Sequence, residues 1–159
     1  MGEDVMTALQ LPWKRMPPID SARKDVLRGL LYPGHLYRKA PGPFAGDSIQ
    51  LTRADIEWLL ENLGYDEGGI QGPIDWDQED QRTRMGLDLR GAVLNELDLS
   101  DLPLDGAQLQ YAQLDNAHLE RAKLRGAHLW GASLFHAYLA GVLLYEARAY
   151  AATLYRADL

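Results

Sequence analysis

Three histidines, His118, His128 and His136, lie close enough along the chain to suggest a metal centre or a general base. Such a site needs its imidazoles to converge, and their spacings of ten and eight residues must be judged against the fold that carries them. The acid-rich stretch DWDQED, Asp75 to Asp80, has the alternating carboxylates of a calcium loop. Its sixth position is Asp80 where such a loop needs glycine, and its twelfth is Gly86 where a bidentate glutamate is required. Acids gathered at a helix N-terminus account for it better. The segment PGPFAGDS has glycines but no Gly-Lys-Ser/Thr, so it is not a phosphate loop. Cysteine is absent, which removes disulfides, thiolate zinc sites and cysteine nucleophiles together. No Ser-His-Asp arrangement is present either. The residues therefore point to no catalytic group, no metal ligand and no cofactor, and the chain is not expected to be an enzyme.

The elements that must position these side chains explain why. From Leu87 onward the sequence repeats every five residues. Leucine recurs at Leu89, Leu94, Leu99, Leu104, Leu109, Leu114, Leu119, Leu124, Leu129, Leu134, Leu139, Leu144, Leu154 and Leu159, with Ala149 at the one broken position. A second apolar residue, mostly alanine, precedes each by two. In an α-helix a step of five turns about 500°, so these leucines would spread around the whole cylinder. In a flat strand, residues five apart point to opposite faces. Both difficulties vanish if the chain bends once per repeat: the alanine and leucine point inward, and the two polar residues after them turn a corner. Units of this kind bury their apolar faces only by stacking.

The stretch AQLQYAQLDNAHLERAKLRGAHLWGASLF follows an A-(D/N)-L-x-x pattern register for register, and residues 87–159 resemble the pentapeptide-repeat family. The resemblance implies a mainly β fold, a right-handed quadrilateral β-helix with four repeats, about twenty residues, per coil. Residues 87–159 would then make under four coils. The pattern departs from the family at the position before the leucine, which is aspartate only at Asp88, Asp98 and Asp158. Pro103, Leu97 and Leu102 make the first coil atypical. On a twenty-residue coil His118, His128 and His136 fall on different sides, which argues against a shared metal.

Upstream, residues 1–19 read as a tail and residues 20–86 as a helical and loop region capping the first coil, whose edge must be covered. DSARKDVLRGLL has Asp20 or Ser21 as a helix cap, with Val26, Leu27, Leu30 and Leu31 on one side and Pro33 ending it. LTRADIEWLLENLG has Thr52 at its cap, Asp55 at the third position and Gly64 at its end, with Ile56, Leu59, Leu60 and Leu63 as its apolar stripe. YPGHLYRKAPGPFAGDS between them reads as a loop. DWDQEDQRTRMG suggests a further helical turn or two capped by Asp77, and Trp58 and Trp76 are expected to anchor against the first coil.

The C-terminal coils carry the functional expectation. Trp130 and Tyr150 are twenty residues apart and should stack on one outer face; Phe135 and Tyr155 should do so on the next. Exposed tyrosine and tryptophan on a rigid surface are anchors of protein interfaces, so these four are candidate protein-binding residues. The chain is expected to be a non-catalytic interaction or scaffolding module with a protein partner, a homodimer through the C-terminal coil being one form of it. An alternative follows from the family, some of whose members mimic DNA and bind gyrase to protect it from quinolones. Against it, the repeats would form a rod of roughly 20 Å at about 4.8 Å per coil, with a basic band of Arg121, Lys123 and Arg125 in its middle. An enzyme is the remaining alternative. With a net charge of −7 and pI near 5.0, direct binding of nucleic acid is not expected. No apolar run suits a membrane span and no signal-peptide core is evident, so a soluble, cytoplasmic bacterial protein is the expectation.

Overall fold

The computed structural model describes residues 11–31, 50–63 and 72–159. The repeat closes on itself every twenty residues. Parallel bridges link Asp88 to Gln108, His128 and Arg148 in succession; Val93 to Gln113, Ser133 and Thr153; Asp98 to His118, Tyr138 and Asp158; and Pro103 to Lys123 and Leu143. These four columns define four sides, here lettered a to d in chain order. The expected short strands are realised as isolated bridges, one per side and level, because only three residues are extended before each corner. Each bridge is closed by two backbone hydrogen bonds, except Pro103 to Lys123, where Leu104 N–H turns to the Leu102 carbonyl. Leu94 N–H donates to the Gln113 carbonyl at 2.7 Å, and Gln113 N–H returns to the Ala92 carbonyl at 2.9 Å.

Corners are built identically. The residue three after each leucine donates to that leucine's carbonyl, as Ala117 does to Leu114 at 3.1 Å. The second residue after each leucine, from Gly91 to Arg156, has a positive φ of 55° to 73°. This is the type II turn, which needs a left-handed residue at its third position. The inner positions are sealed: Leu89, Leu94, Leu99, Leu104, Leu109, Leu114, Leu119, Leu124, Leu129, Leu134 and Leu139 are buried, as are the alanines from Ala92 to Ala137. In the last level the stack opens. Leu144, Leu154 and Leu159 are exposed, although Val142, Ala147, Ala152 and Ala157 still pack on the core.

Upstream, α1 spans Ser21–Leu31 and α2 spans Arg53–Asn62. In α2, Thr52 and Asp55 form a capping box, each side chain accepting from the other's backbone N–H. Ile56, Leu59 and Leu60 are buried in one continuous core with the coil leucines. The helix ends at Asn62 with Leu63 extended; Gly64, Pro33 and the loop YPGHLYRKAPGPFAGDS lie outside the described residues. In α1, Leu27 is fully buried whereas Val26, expected on the same side, faces solvent.

Three further expectations need correction. The segment 75–84 is no helix but a run of tight turns, with i to i+3 bonds from Gln78 to Asp75 and from Arg84 to Gln81. With no helix there, Asp77 caps nothing; instead its N–H donates to the Asp75 carboxylate at 3.0 Å in the first turn. Trp76 anchors one coil later than expected: its ring lies on Gly126, where an added Cβ would sit 2.4 Å from the indole. Part of the expected tail is packed, since Trp13 is buried in the core and the N–H groups of Arg15 and Met16 donate to Glu57 at 2.9 Å each.

Arg53 joins this region to the repeats. Its guanidinium donates to the carbonyls of Asp98 and Ser100, at 2.9 and 3.1 Å, and to the Trp13 carbonyl at 2.9 Å. One level on, the equivalent carbonyls of His118 and Glu120 accept the N–H groups of Leu99 and Asp101. Arg53 thus supplies the donors that another coil would have supplied. Pro103 fits the same edge, because its position would donate only toward a preceding coil and proline has no N–H to give.

Two substitutions probe this architecture. Leu119→Asp places an unpaired carboxylate in the dry stack, which costs several kcal/mol against a total stability of roughly 5–15 kcal/mol; the protein should lose its cooperative urea transition. Gly86→Ala would put a Cβ 2.5 Å from the Asp105 carbonyl and 2.6 Å from Gly106, both backbone. It should lower stability by about 1–3 kcal/mol or more, and an unchanged unfolding midpoint would contradict the close approach of residue 86 to the second level.

Candidate protein interface

Outward side chains are sorted by corner. The corner between sides a and b carries Arg90, Gln110, Tyr111, Trp130 and Tyr150; the corner between b and c carries Asn95, Asp115, Phe135, His136 and Tyr155. Side b between them presents the small polar column Gln113, Ser133 and Thr153. The four candidate residues therefore border one face from both edges. All are accessible, with Trp130 at 48%, Phe135 at 38%, Tyr150 at 80% and Tyr155 at 59% exposure.

Ring contacts differ between the two corners. Phe135 and Tyr155 stack as expected, with centroids 5.6 Å apart and planes within 17°. Trp130 turns instead toward Tyr111, with centroids 5.5 Å apart at a 46° tilt. The reason is Gly131: a Cβ there would lie 2.8 Å from the Tyr111 ring, so the missing side chain makes the notch that Tyr111 fills. Tyr150 remains the most exposed of the large apolar residues.

At the corner between b and c the rings replace a polar ladder. Asn95 accepts the Asp115 N–H at 2.8 Å, and Asp115 accepts the Phe135 N–H at 3.0 Å and the Ser133 hydroxyl. Phe135 has no such acceptor to offer Tyr155. The corner between d and a behaves alike: Asp105 takes the Arg125 N–H and guanidinium at 3.0 Å, and Tyr145 follows one level later. A side chain that accepts a corner N–H supports the next coil. The rings give up that support in the last levels.

The acidic first coil and the basic band one level above neutralise each other. Arg121 pairs with Asp101 at 2.7 Å and Arg125 with the buried Asp105 at 3.0 Å. Arg90 pairs with Asp88 at 2.7 Å, and Arg53 with Asp98 at 3.1 Å. The hydrogen bond from Arg121, helped by Arg15, holds the Asp101 carboxyl below its usual range. For Asp98, burial works the other way but is outweighed by hydrogen bonds from Ser100 and the charges of Arg53 and Arg15, so its carboxyl is also depressed.

The histidines do not converge. His118 stacks on Tyr138 at 4.4 Å on side c, His136 meets Phe135 edge-on at 4.3 Å, and His128 belongs to side a. Among the described residues, no group of three histidine or acidic side chains is placed to hold a metal, and no helix is long and apolar enough to cross a membrane. The His118–Tyr138 stack was legible in the twenty-residue spacing, but the pair was not singled out from the sequence.

Residues 104–139 match the family model for pentapeptide repeats, in eight copies. Among solved structures, a pentapeptide repeat protein from the Arabidopsis thaliana thylakoid lumen is 29% identical over 43% of this chain and 48% of its own, with a TM-score of 0.43. HetL, a pentapeptide repeat protein involved in heterocyst differentiation regulation in the cyanobacterium Nostoc, is 32% identical over 42% of this chain and 32% of its own, with a TM-score of 0.35. A pentapeptide repeat protein of the cyanobacterium Cyanothece is 26% identical over 45% of this chain and 52% of its own, with a TM-score of 0.26. This chain thus spans about half or less of each. No curated protein matches it.

The paired carboxylates make stability acid-sensitive. Asp98 and Asp101 ionise more readily folded than unfolded, so their contribution is complete above about pH 4, the unfolded value, and is lost as pH falls through the lower folded range. Urea midpoints should therefore decline below about pH 4, and Asp101→Asn should be less stable at neutral pH but show a shallower decline. An Asp101→Asn protein with the wild-type acid profile would show that the pair is not felt.

Proposed function

We propose that this pentapeptide-repeat chain is a non-catalytic interaction module that docks a protein partner across side b, between its two aromatic corners. The observation that carries this reading is the exposure of Trp130, Tyr150, Phe135 and Tyr155 along both edges of side b, with Phe135 and Tyr155 standing where Asn95 and Asp115 support the earlier levels of their corner. Aromatic rings of this size lower affinity sharply when truncated at an interface centre, typically by 2 kcal/mol or more. A patch bordered by four of them on a rigid frame also loses little entropy on docking. Residues 20–86 serve as the cap of a right-handed coil of under four turns, with Arg53 on its edge carbonyls, and the working end lies at the far levels.

A second copy of the chain is one partner this surface suits. An exposed patch of rings on one face can meet its own copy in an isologous two-fold contact, the commonest form of oligomer. The gyrase-binding alternative is less well supported. DNA mimicry needs an open field of carboxylates, whereas Asp88, Asp98, Asp101 and Asp105 each have an arginine partner.

The test compares wild type with Trp130→Ala and Tyr155→Glu, both exposed and neither part of the leucine stack. Capture from the native host should retain proteins on wild type that both variants lose, and sedimentation should show whether one of them is the chain itself. Variants that fold normally and retain the same partners would overturn the side b assignment.

A further inference from the structure

Side a, next to the aromatic face, is covered along one margin by the segment after Trp76. The ring of Trp76 is seated on Gly126 with the Arg125 guanidinium 5.7 Å from its centroid, and its carbonyl accepts Arg82 Nε at 2.7 Å. Between this strap and the corner of Arg90 and Gln110 runs an open-sided groove of about 470 Å³, floored by Gln108 and His128. That volume suits a small metabolite.

The groove is basic in a protein whose net charge is −7. Arg82, Arg84, Arg90 and Arg148 line it with one carboxylate, Glu146, and of these Arg90 is tied to Asp88 at 2.7 Å. Arg84 is held in place by the Gly72 carbonyl. Arg82 spends only its Nε on Trp76, which leaves its terminal nitrogens as donors, and the Arg148 guanidinium has no ion pair among the described residues. The Gln110 side-chain oxygen is buried without a hydrogen-bond partner. Burial, reinforced by the Arg148 charge, holds the His128 imidazole below its usual range.

We propose that this groove is a binding site for a small phosphate-bearing anion, held by Arg82 and Arg148. Convergent guanidinium groups suit an anion of nearly two charges and three acceptor oxygens, whereas a single carboxylate is satisfied by one bidentate arginine. A hydroxyl on the same ligand would donate to Gln110. The site is separate from the side b surface and stands or falls without it.

Calorimetric titration of the full chain with inorganic diphosphate, glycerol 3-phosphate and citrate tests the assignment. A phosphate compound should bind saturably, and Arg148→Gln should weaken it by about tenfold or more, the loss of a charge-assisted pair. Arg82→Gln should act in the same direction, whereas Arg156→Gln, on another corner, should leave binding unchanged. Tighter binding of diphosphate would identify an inorganic ligand, and tighter binding of glycerol 3-phosphate an organic one that uses Gln110; either supports the site. Citrate binding as tightly as both, no saturation by roughly 1 mM, or equal weakening by Arg156→Gln would overturn it. Thermal unfolding of each variant separates lost binding from lost fold.

Discussion

Everything in this molecule depends on the exchange of backbone hydrogen bonds between residues about twenty apart. A side of three extended residues cannot form a ladder by itself, and a leucine every fifth position cannot be buried by its neighbours in sequence. Only when Leu94 reaches Gln113, and Gln113 returns to Ala92, do the leucines come into register as a dry column. The constraint also costs something. Nine corners place a non-glycine residue at positive φ, each strained by about 1–2 kcal/mol, and the stacked core must offset it.

That same stacking governs charge and surface. Because each outward residue meets the one twenty away, Asp101 finds Arg121 and Asp105 finds Arg125, and two bands that look opposed in sequence become a set of closed pairs. Where the polar corner residues give way to Phe135, Tyr155 and Tyr145, no side chain among the described residues accepts the next corner N–H, and the corner is no longer self-supporting. The division of labour proposed here, a sealed and capped first level and a reactive last one, follows from that substitution along the corners.

The groove on side a shows how a region without regular structure adds a surface to a solenoid. Its strap is kept in place by one ring on one glycine, Trp76 on Gly126, and by the close approach of Gly86 to Gly106. Neither contact involves a leucine of the repeat. The arginines of the strap, Arg82 and Arg84, are thereby brought beside Arg148, more than sixty positions away in sequence.

The sequence by itself determined the inner leucines and alanines, because a strict five-residue period leaves one way to bury its apolar positions, while the resemblance to pentapeptide repeats implied the twenty-residue closure and with it the separation of His118, His128 and His136. The sequence also marked α2, where Thr52 and Asp55 form a local capping box that needs no distant partner. Tertiary structure alone decided the rest. That Trp130 turns to Tyr111 depends on the notch at Gly131 one level away, and that Trp76 reaches Gly126 depends on how the strap crosses the coil. Trp13 and Arg53 meet the first coil through carbonyls that become acceptors only once the coil is formed. Such contacts are set by which surfaces a finished coil leaves unsatisfied, a property that no local pattern encodes.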